Sequence, residues 1–180
     1  INLEDIKAPD CFEIEQRLKK ELKIPVMHDD QHGTAIITGA ALLNALEITK
    51  RDIAKTNFVF SGAGASAISC AKLFVALGAK KENIIMCDSK GVIGKDRKDL
   101  DETKLFFATE KKLKNLEDAL KSADVFVGLS KGNILKADLL KAMAKEPIIF
   151  ALANPDPEIP YDEAVKARPD AIVATGRSDF

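Results

Sequence analysis

Cysteine is scarce in this 180-residue sequence. Cys11, Cys70 and Cys87 are odd in number and show no C-x-x-C spacing, which excludes a disulfide framework or a zinc ribbon and fits a reducing, cytoplasmic setting. No apolar run approaches the roughly 18 residues that a membrane span needs, and no charged-then-apolar leader opens the chain, so no membrane partner is expected. Charge of one sign is lacking too: 27 Lys and Arg stand against 28 Asp and Glu, a formal charge of -1. That balance offers no basic field to polynucleotide phosphates, and no nucleic acid is expected as a partner. There is no G-x-S-x-G nucleophile elbow and no internal repeat. Cys70 falls within an expected helix, so covalent catalysis has no support.

What is present is the composition of a globular protein, 46% hydrophobic and 31% charged, at a length suited to one domain with its own core. Short β-rich apolar runs at 57–61 (NFVFS), 83–87 (NIIMC), 124–128 (DVFVG), 147–152 (PIIFAL) and 171–174 (AIVA) alternate with helical spacing at 65–77, 115–122, 135–145 and 161–167. Strand and helix in alternation, with strands apolar throughout, imply an α/β fold: a doubly wound, mostly parallel sheet covered on both faces. Residues 33–46 (GTAIITGAALLNAL) read as a buried helix that packs closely on a neighbour. Residues 1–32 read as a helical lead-in without sheet elements, residues 33–180 as the α/β domain, and 94–114 as a solvated connection with a short helix around Phe106 and Phe107. The sequence opens on Ile1 rather than Met, as a portion of a longer polypeptide would.

The strongest local motif is SGAGASA. Gly62, Gly64 and Ala67 form G-x-G-x-x-A directly after an expected strand and at the mouth of an expected helix. Gly62 allows the tight turn, Gly64 lets backbone approach a pyrophosphate, and Ala67 lets the helix pack near the strand; the helix N-terminus then offers free N–H groups and positive dipole. Asp88 ends the next strand, placed to accept hydrogen bonds from an adenosine ribose and so to favour NAD. Ser89 and Lys90 follow and suit a 2'-phosphate, which leaves NADP possible, while Asp88 is also suited to capping a turn before Gly91. Leu129, Ser130 and Asn154 follow later strands, where ligands of open α/β sheets bind. Asn154 reads equally well as an amide facing nicotinamide or substrate and as an Asx turn before Pro155.

A second group is acidic: Glu4 and Asp5, then Asp29 and Asp30. Hard cations such as Mg²⁺ or Mn²⁺ take oxygen ligands of this kind; surface charge and helix capping by Asp30 account for the same residues on spacing alone. His28 and His32 flank the pair without a thiolate nearby, and read as bystanders.

Taken in order, NLEDIKAPDCFEIE, IPVMHDDQHGTAI, SGAGASA, CDSKGVI, FALANPDPEI and ATGRSDF resemble the bacterial-type malic enzymes over essentially the whole sequence. The resemblance implies a Rossmann-like domain and NAD(P)- and metal-dependent oxidative decarboxylation of (S)-malate to pyruvate and CO₂. Carried over residue by residue, it makes Glu4, Asp5 and Asp30 the metal carboxylates and places Asp29 behind them or near the substrate. It puts Thr34, Ala63, Gly64, Ala65 and Ser66 at the dinucleotide phosphates, and Asn154 between nicotinamide and malate. The family's catalytic lysine and tyrosine belong to an N-terminal domain that would precede Ile1, and neither the lysines here nor Tyr161 match them. The family chain also continues past Phe180, and it forms dimers or larger homo-oligomers. Malolactic conversion and a non-catalytic dinucleotide sensor are the alternatives.

Overall fold

Four runs of β-branched and aromatic residues, Phe58–Ser61 (β3), Ile84–Asp88 (β4), Val125–Gly128 (β6) and Ile148–Ala151 (β7), are buried on both faces apart from the half-buried Asp88. Strands of that kind need helices above and below. In the computed structural model, which describes residues 1–177, they lie parallel beside Ile172–Thr175 (β8), and the short Gly91–Val92 (β5) adds an antiparallel edge. The order is β5-β4-β3-β6-β7-β8. The chain reverses direction across the sheet between β3 and β6, which opens a crevice at the carboxyl ends of those two strands.

Side chains alternate along each strand and so divide the core in two. Phe58, Phe60, Met86, Val127 and Phe150 face Asp29–Thr49 (α2) and Ala65–Ala76 (α3). Val59, Ile85, Phe126 and Ile149 face Leu116–Leu120 (α5), Ala137–Leu140 (α6) and Tyr161–Ala167 (α7). Phe74 on α3 lies with its ring centroid 5.5 Å from both Phe58 and Phe60. At Gly39 of α2 a Cβ would sit 2.8 Å from the Leu73 side chain, so the two helices approach closely there.

The strands match the sequence expectation to within a residue or two, but several other expectations need correction. The first segment does contain sheet elements: Asn2–Leu3 (β1) pairs in parallel with Met27–His28 (β2), around the amphipathic Asp10–Glu21 (α1). The helix expected from residue 33 begins at Asp29, so it runs through the boundary drawn at 32/33. Nor is it buried all round. Ile36, Leu43 and Ile48 are exposed on its outer side and Ile37 is 72% exposed, because only the side bearing Leu42, Ala45 and Leu46 meets the core. The helix expected over 135–145 shortens to four residues, since Leu135 and Met143 reach the core from turns. The connection at 94–114 holds Glu102–Phe106 (α4), with Phe107 buried behind it. Of the ATGRSDF string, residues 178–180 lie outside the described residues.

Candidate functional site

The loop from β3 to α3 takes the form its glycines require. Gly62 has φ +119°, and a Cβ there would stand 2.4 Å from the Leu129 carbonyl oxygen, so both backbone and neighbours call for glycine. Its N–H donates to Cys87 O at 2.8 Å, and the Leu129 N–H donates to Ser61 O at 2.8 Å, which ties the ends of β3, β4 and β6 together. Gly64 is the N-cap of α3 and has no side-chain cap. A Cβ on Gly64 would meet nothing within 4 Å and Gly64 and Ala65 border open space, the setting in which the uncapped N-terminus of a twelve-residue helix can take an anion. Ala67 is buried against the sheet, the close packing its small side chain permits.

In front of this loop lies a cleft of about 990 Å³. Gly62, Ala63, Gly64 and Ala65 form its floor, Asp88 and Ser89 one end, and Leu129 and Ser130 the other side. Lys7, Pro9 and Phe12 close it from the lead-in, and Lys104 from α4. Thr34, Ser66, Ala67, Lys90 and Asn154 do not line it. Thr34 accepts the Thr38 hydroxyl at 2.6 Å within α2, and Asn154 is exposed in the loop after β7. Cys87 lines the cleft, but burial pushes its thiol up to about 12, which leaves no thiolate.

Asp88 is not a free ribose acceptor. Both carboxylate oxygens take the Arg97 guanidinium, at 2.8 Å each, and Oδ1 also accepts the Lys90 N–H at 2.9 Å, the turn-capping bond foreseen before Gly91. Burial pushes the Asp88 carboxyl up, but these donors outweigh it and hold the group below its ordinary value.

The β1–β2 pairing sets Leu3 against His28 and so brings Glu4 and Asp5 beside Asp29 and Asp30. The Asp5 N–H donates to Asp30 Oδ2 at 2.9 Å, with Asp5 held at φ +58°. Asp29 curls back over Gly33, where a Cβ would collide with it. The segments meet but the carboxylates do not converge: among the described residues no three acidic, histidine or cysteine side chains form a ready metal cluster. Their oxygens nonetheless make a hard donor set of the kind divalent cations take. The Ser66 hydroxyl donates to Asp30 O at 2.5 Å, which fastens the first turn of α3 to the acidic first turn of α2. His28 is buried, its backbone N–H donating to Glu15 Oε1 at 3.0 Å and its ring Nε2 lying 3.5 Å from Asp30 Oδ2, and His32 Nε2 lies 2.8 Å from the same Glu15 oxygen.

Three comparisons bear on this site. Residues 31–178 match the family described as malic enzyme, NAD binding domain. The chain is 53% identical over its whole length to an NADP-dependent malic enzyme of Halomonas elongata, and 55% identical to an NAD-dependent malic enzyme of Rhizobium meliloti. It spans 43% of the first protein and 24% of the second. The crystal structure of an NAD-dependent malic enzyme from Thermotoga maritima superposes on the entire chain with a TM-score of 0.92 at 45% identity, and the chain covers 48% of it. The chain belongs to the malic enzyme family. Its glycine loop and cleft are therefore those of a dinucleotide-binding domain.

Two residues of this malic enzyme domain escaped the sequence reading. Arg97 sits in a charge-rich stretch, nine positions from Asp88, and nothing local marks it. Glu158 is wholly buried, yet both its oxygens accept backbone N–H groups at 3.0 Å, from Ser130 after β6 and from Ala153 after β7. Its carboxyl lies against Gly128, where a Cβ would stand 2.2 Å from Cδ. Burial pushes this carboxyl above its ordinary value despite the two N–H donors, which favour the anion. Set among Asp156, Asp162 and Glu163, Glu158 carries no local mark of being the buried acid.

Proposed function

We propose that this chain is the cofactor- and metal-binding portion of an enzyme that oxidatively decarboxylates (S)-malate to pyruvate and CO₂ with reduction of NAD or NADP. The observation that carries the reading is the Ser66–Asp30 hydrogen bond, since it sets a dinucleotide loop directly beside an oxygen-rich acidic turn. A 2-hydroxy acid held at that turn lies next to the hydride acceptor.

In this reading the uncapped N-terminus of α3 and the backbone of Ala63–Ser66 bind the pyrophosphate. Leu129 and Ser130 border the cofactor on the β6 side, and Asn154 offers its amide to nicotinamide and substrate. Glu4, Asp5 and Asp30 would hold Mg²⁺ or Mn²⁺, with Asp29 behind them. A cation bound there supplies Lewis-acid stabilisation of the negative charge that develops as CO₂ departs. No described side chain takes the proton-transfer roles; the family resemblance assigns them to a lysine and a tyrosine outside these residues.

The test is a malate-dependent assay of the enzyme that carries this chain, with NADH, pyruvate and lactate measured together. NADH with pyruvate supports the proposal, and lactate without NADH indicates malolactic conversion. Asp30→Asn keeps an acceptor for the Asp5 N–H but removes charge. Turnover should fall on the order of a hundredfold or more, because Lewis-acid assistance is worth several kcal/mol, while nucleotide affinity stays within about twofold. Unchanged turnover at saturating Mg²⁺ removes Asp30 from the metal site, and nucleotide binding without any turnover leaves a sensor.

A further inference from the structure

Behind Asp88, at the end of the cleft that would take the adenosine and just outside its lining, lies an arrangement that dinucleotide binding alone does not require. Arg97 presents two edges to two carboxylates. Its outer pair of nitrogens is engaged by Asp88, as described. Its other edge is taken by Asp99: Nε donates to Oδ1 at 3.0 Å and Nη2 to Oδ2 at 2.9 Å. The same Oδ2 accepts from Lys90 Nζ at 2.6 Å. Asp99 is thus an anion held by an arginine fork and an ammonium, immediately behind the strand-end acid where a ribose would sit. It is also the half-exposed member, with its side chain 40% exposed against 16% for both Asp88 and Arg97.

We propose that Asp99 sets the NAD-versus-NADP preference of this chain by occupying, with its own carboxylate, the anion site of Arg97 and Lys90 that a ribose 2'-phosphate would otherwise take. The inference rests on the dinucleotide reading of the cleft and concerns only which dinucleotide is preferred. The donor set is chemically right for a phosphate monoester, since a planar guanidinium edge with a neighbouring ammonium suits tetrahedral oxyanions as it suits carboxylates. The charge balance explains why the site does not draw that phosphate strongly. Asp88 and Asp99 cancel Arg97 and Lys90, so the cluster is neutral, and a 2'-phosphate must displace one anion while standing near another. Removing the Asp99 charge leaves one net positive charge and a free arginine edge. Asp88 keeps its own bonds to Arg97 and to the Lys90 N–H, so what NAD meets is little altered.

The experiment is calorimetric titration of wild type, Asp99→Asn and Asp96→Asn with NAD, NADP, 5'-AMP and adenosine 2',5'-bisphosphate. Asp96→Asn makes the same change of charge three residues earlier, away from the Arg97 edge. Wild type should bind NAD more tightly than NADP. Asp99→Asn should bind NADP and the bisphosphate roughly tenfold more tightly, the worth of one charge-assisted contact, with NAD and 5'-AMP within about twofold of wild type. The NADP gain should shrink as salt rises. An unchanged NADP-to-NAD ratio in Asp99→Asn, or an equal shift in Asp96→Asn, overturns the proposal. Failure of wild type to bind any of the four ligands instead overturns the dinucleotide reading on which it rests.

Discussion

Among the described residues Glu158 is an acid without a cation, buried beside the ends of β6 and β7. Burying a charge is costly unless hydrogen bonds compensate it, and here the compensation comes from the N–H groups of Ser130 and Ala153. The side chain thereby joins the two loops that carry Ser130 and Asn154. Replacement by leucine would fill the volume but leave two buried donors unpaired. Each of the two losses is worth about 1–3 kcal/mol, so Glu158→Leu should lower the melting temperature by roughly 4 to 24 °C for a domain of this size. Glu158→Gln keeps one acceptor and should lose about half as much. Thermal denaturation of the three proteins checks this ordering, and a leucine variant as stable as wild type would show that the N–H groups find other partners.

At the scale of elements, the lead-in is fastened through Glu15. This buried residue of α1 accepts the His28 N–H, faces His32 and pairs with Lys19 at 2.9 Å. Burial raises its carboxyl, but bonds from His32, Lys19 and the His28 N–H outweigh that and hold it below the ordinary 4.5. An acid whose folded-state value is depressed contributes stability that is present above its unfolded value and is lost as pH falls through the folded one. The stability gap between wild type and Glu15→Gln should therefore be full near neutrality and close as pH drops below 4.5. Glu158, pushed up, acts in the opposite sense in both proteins and cancels from the comparison. Denaturant unfolding across pH 3 to 7 measures the gap, and a gap independent of pH would assign Glu15 a packing role only.

Elements also show what could be read beforehand. The strands were legible because a sheet covered on both faces leaves no polar alternation to blur a run such as NIIMC. SGAGASA was legible because Gly62 and Gly64 answer to sterics within a few residues. Arg97, Glu15 and Glu158 were not, since a buried acid or a bidentate arginine is defined by partners that only the fold supplies. The outer side of α2 misled for a related reason: aliphatic spacing around the whole helix signals burial, but which side meets the sheet depends on where α3 lies. The carboxylates proposed as metal ligands stand between these cases. The pairing of β1 with β2 brings their segments together, yet their type, more than their present orientation, is what fits a cation.

The molecule as a whole has a core on each side of its sheet, a cleft at the reversal of strand order, and an acidic turn fastened to that cleft. Its folding should not depend on further chain, because both faces of the sheet are covered by its own helices. Catalysis is different. Tyr161, the only tyrosine, begins α7 and does not line the cleft, and the proposed reading assigns the acid and base to groups outside these residues. The chain also spans less than half of its malic enzyme relatives. Prepared by itself, it should bind NAD with stabilisation but without turnover. A ligand at about a hundred times its dissociation constant stabilises the native state by roughly 2.7 kcal/mol, equivalent to a rise in melting temperature of roughly 5 to 10 °C here. Malate with Mg²⁺ should yield no NADH above background, because absent proton-transfer groups typically cost about 10² to 10⁴ each in rate. Thermal shift and NADH absorbance on one preparation decide the matter. A shift without turnover fits a domain that holds cofactor and metal for chemistry completed elsewhere, whereas robust turnover would place the acid and base among these 180 residues.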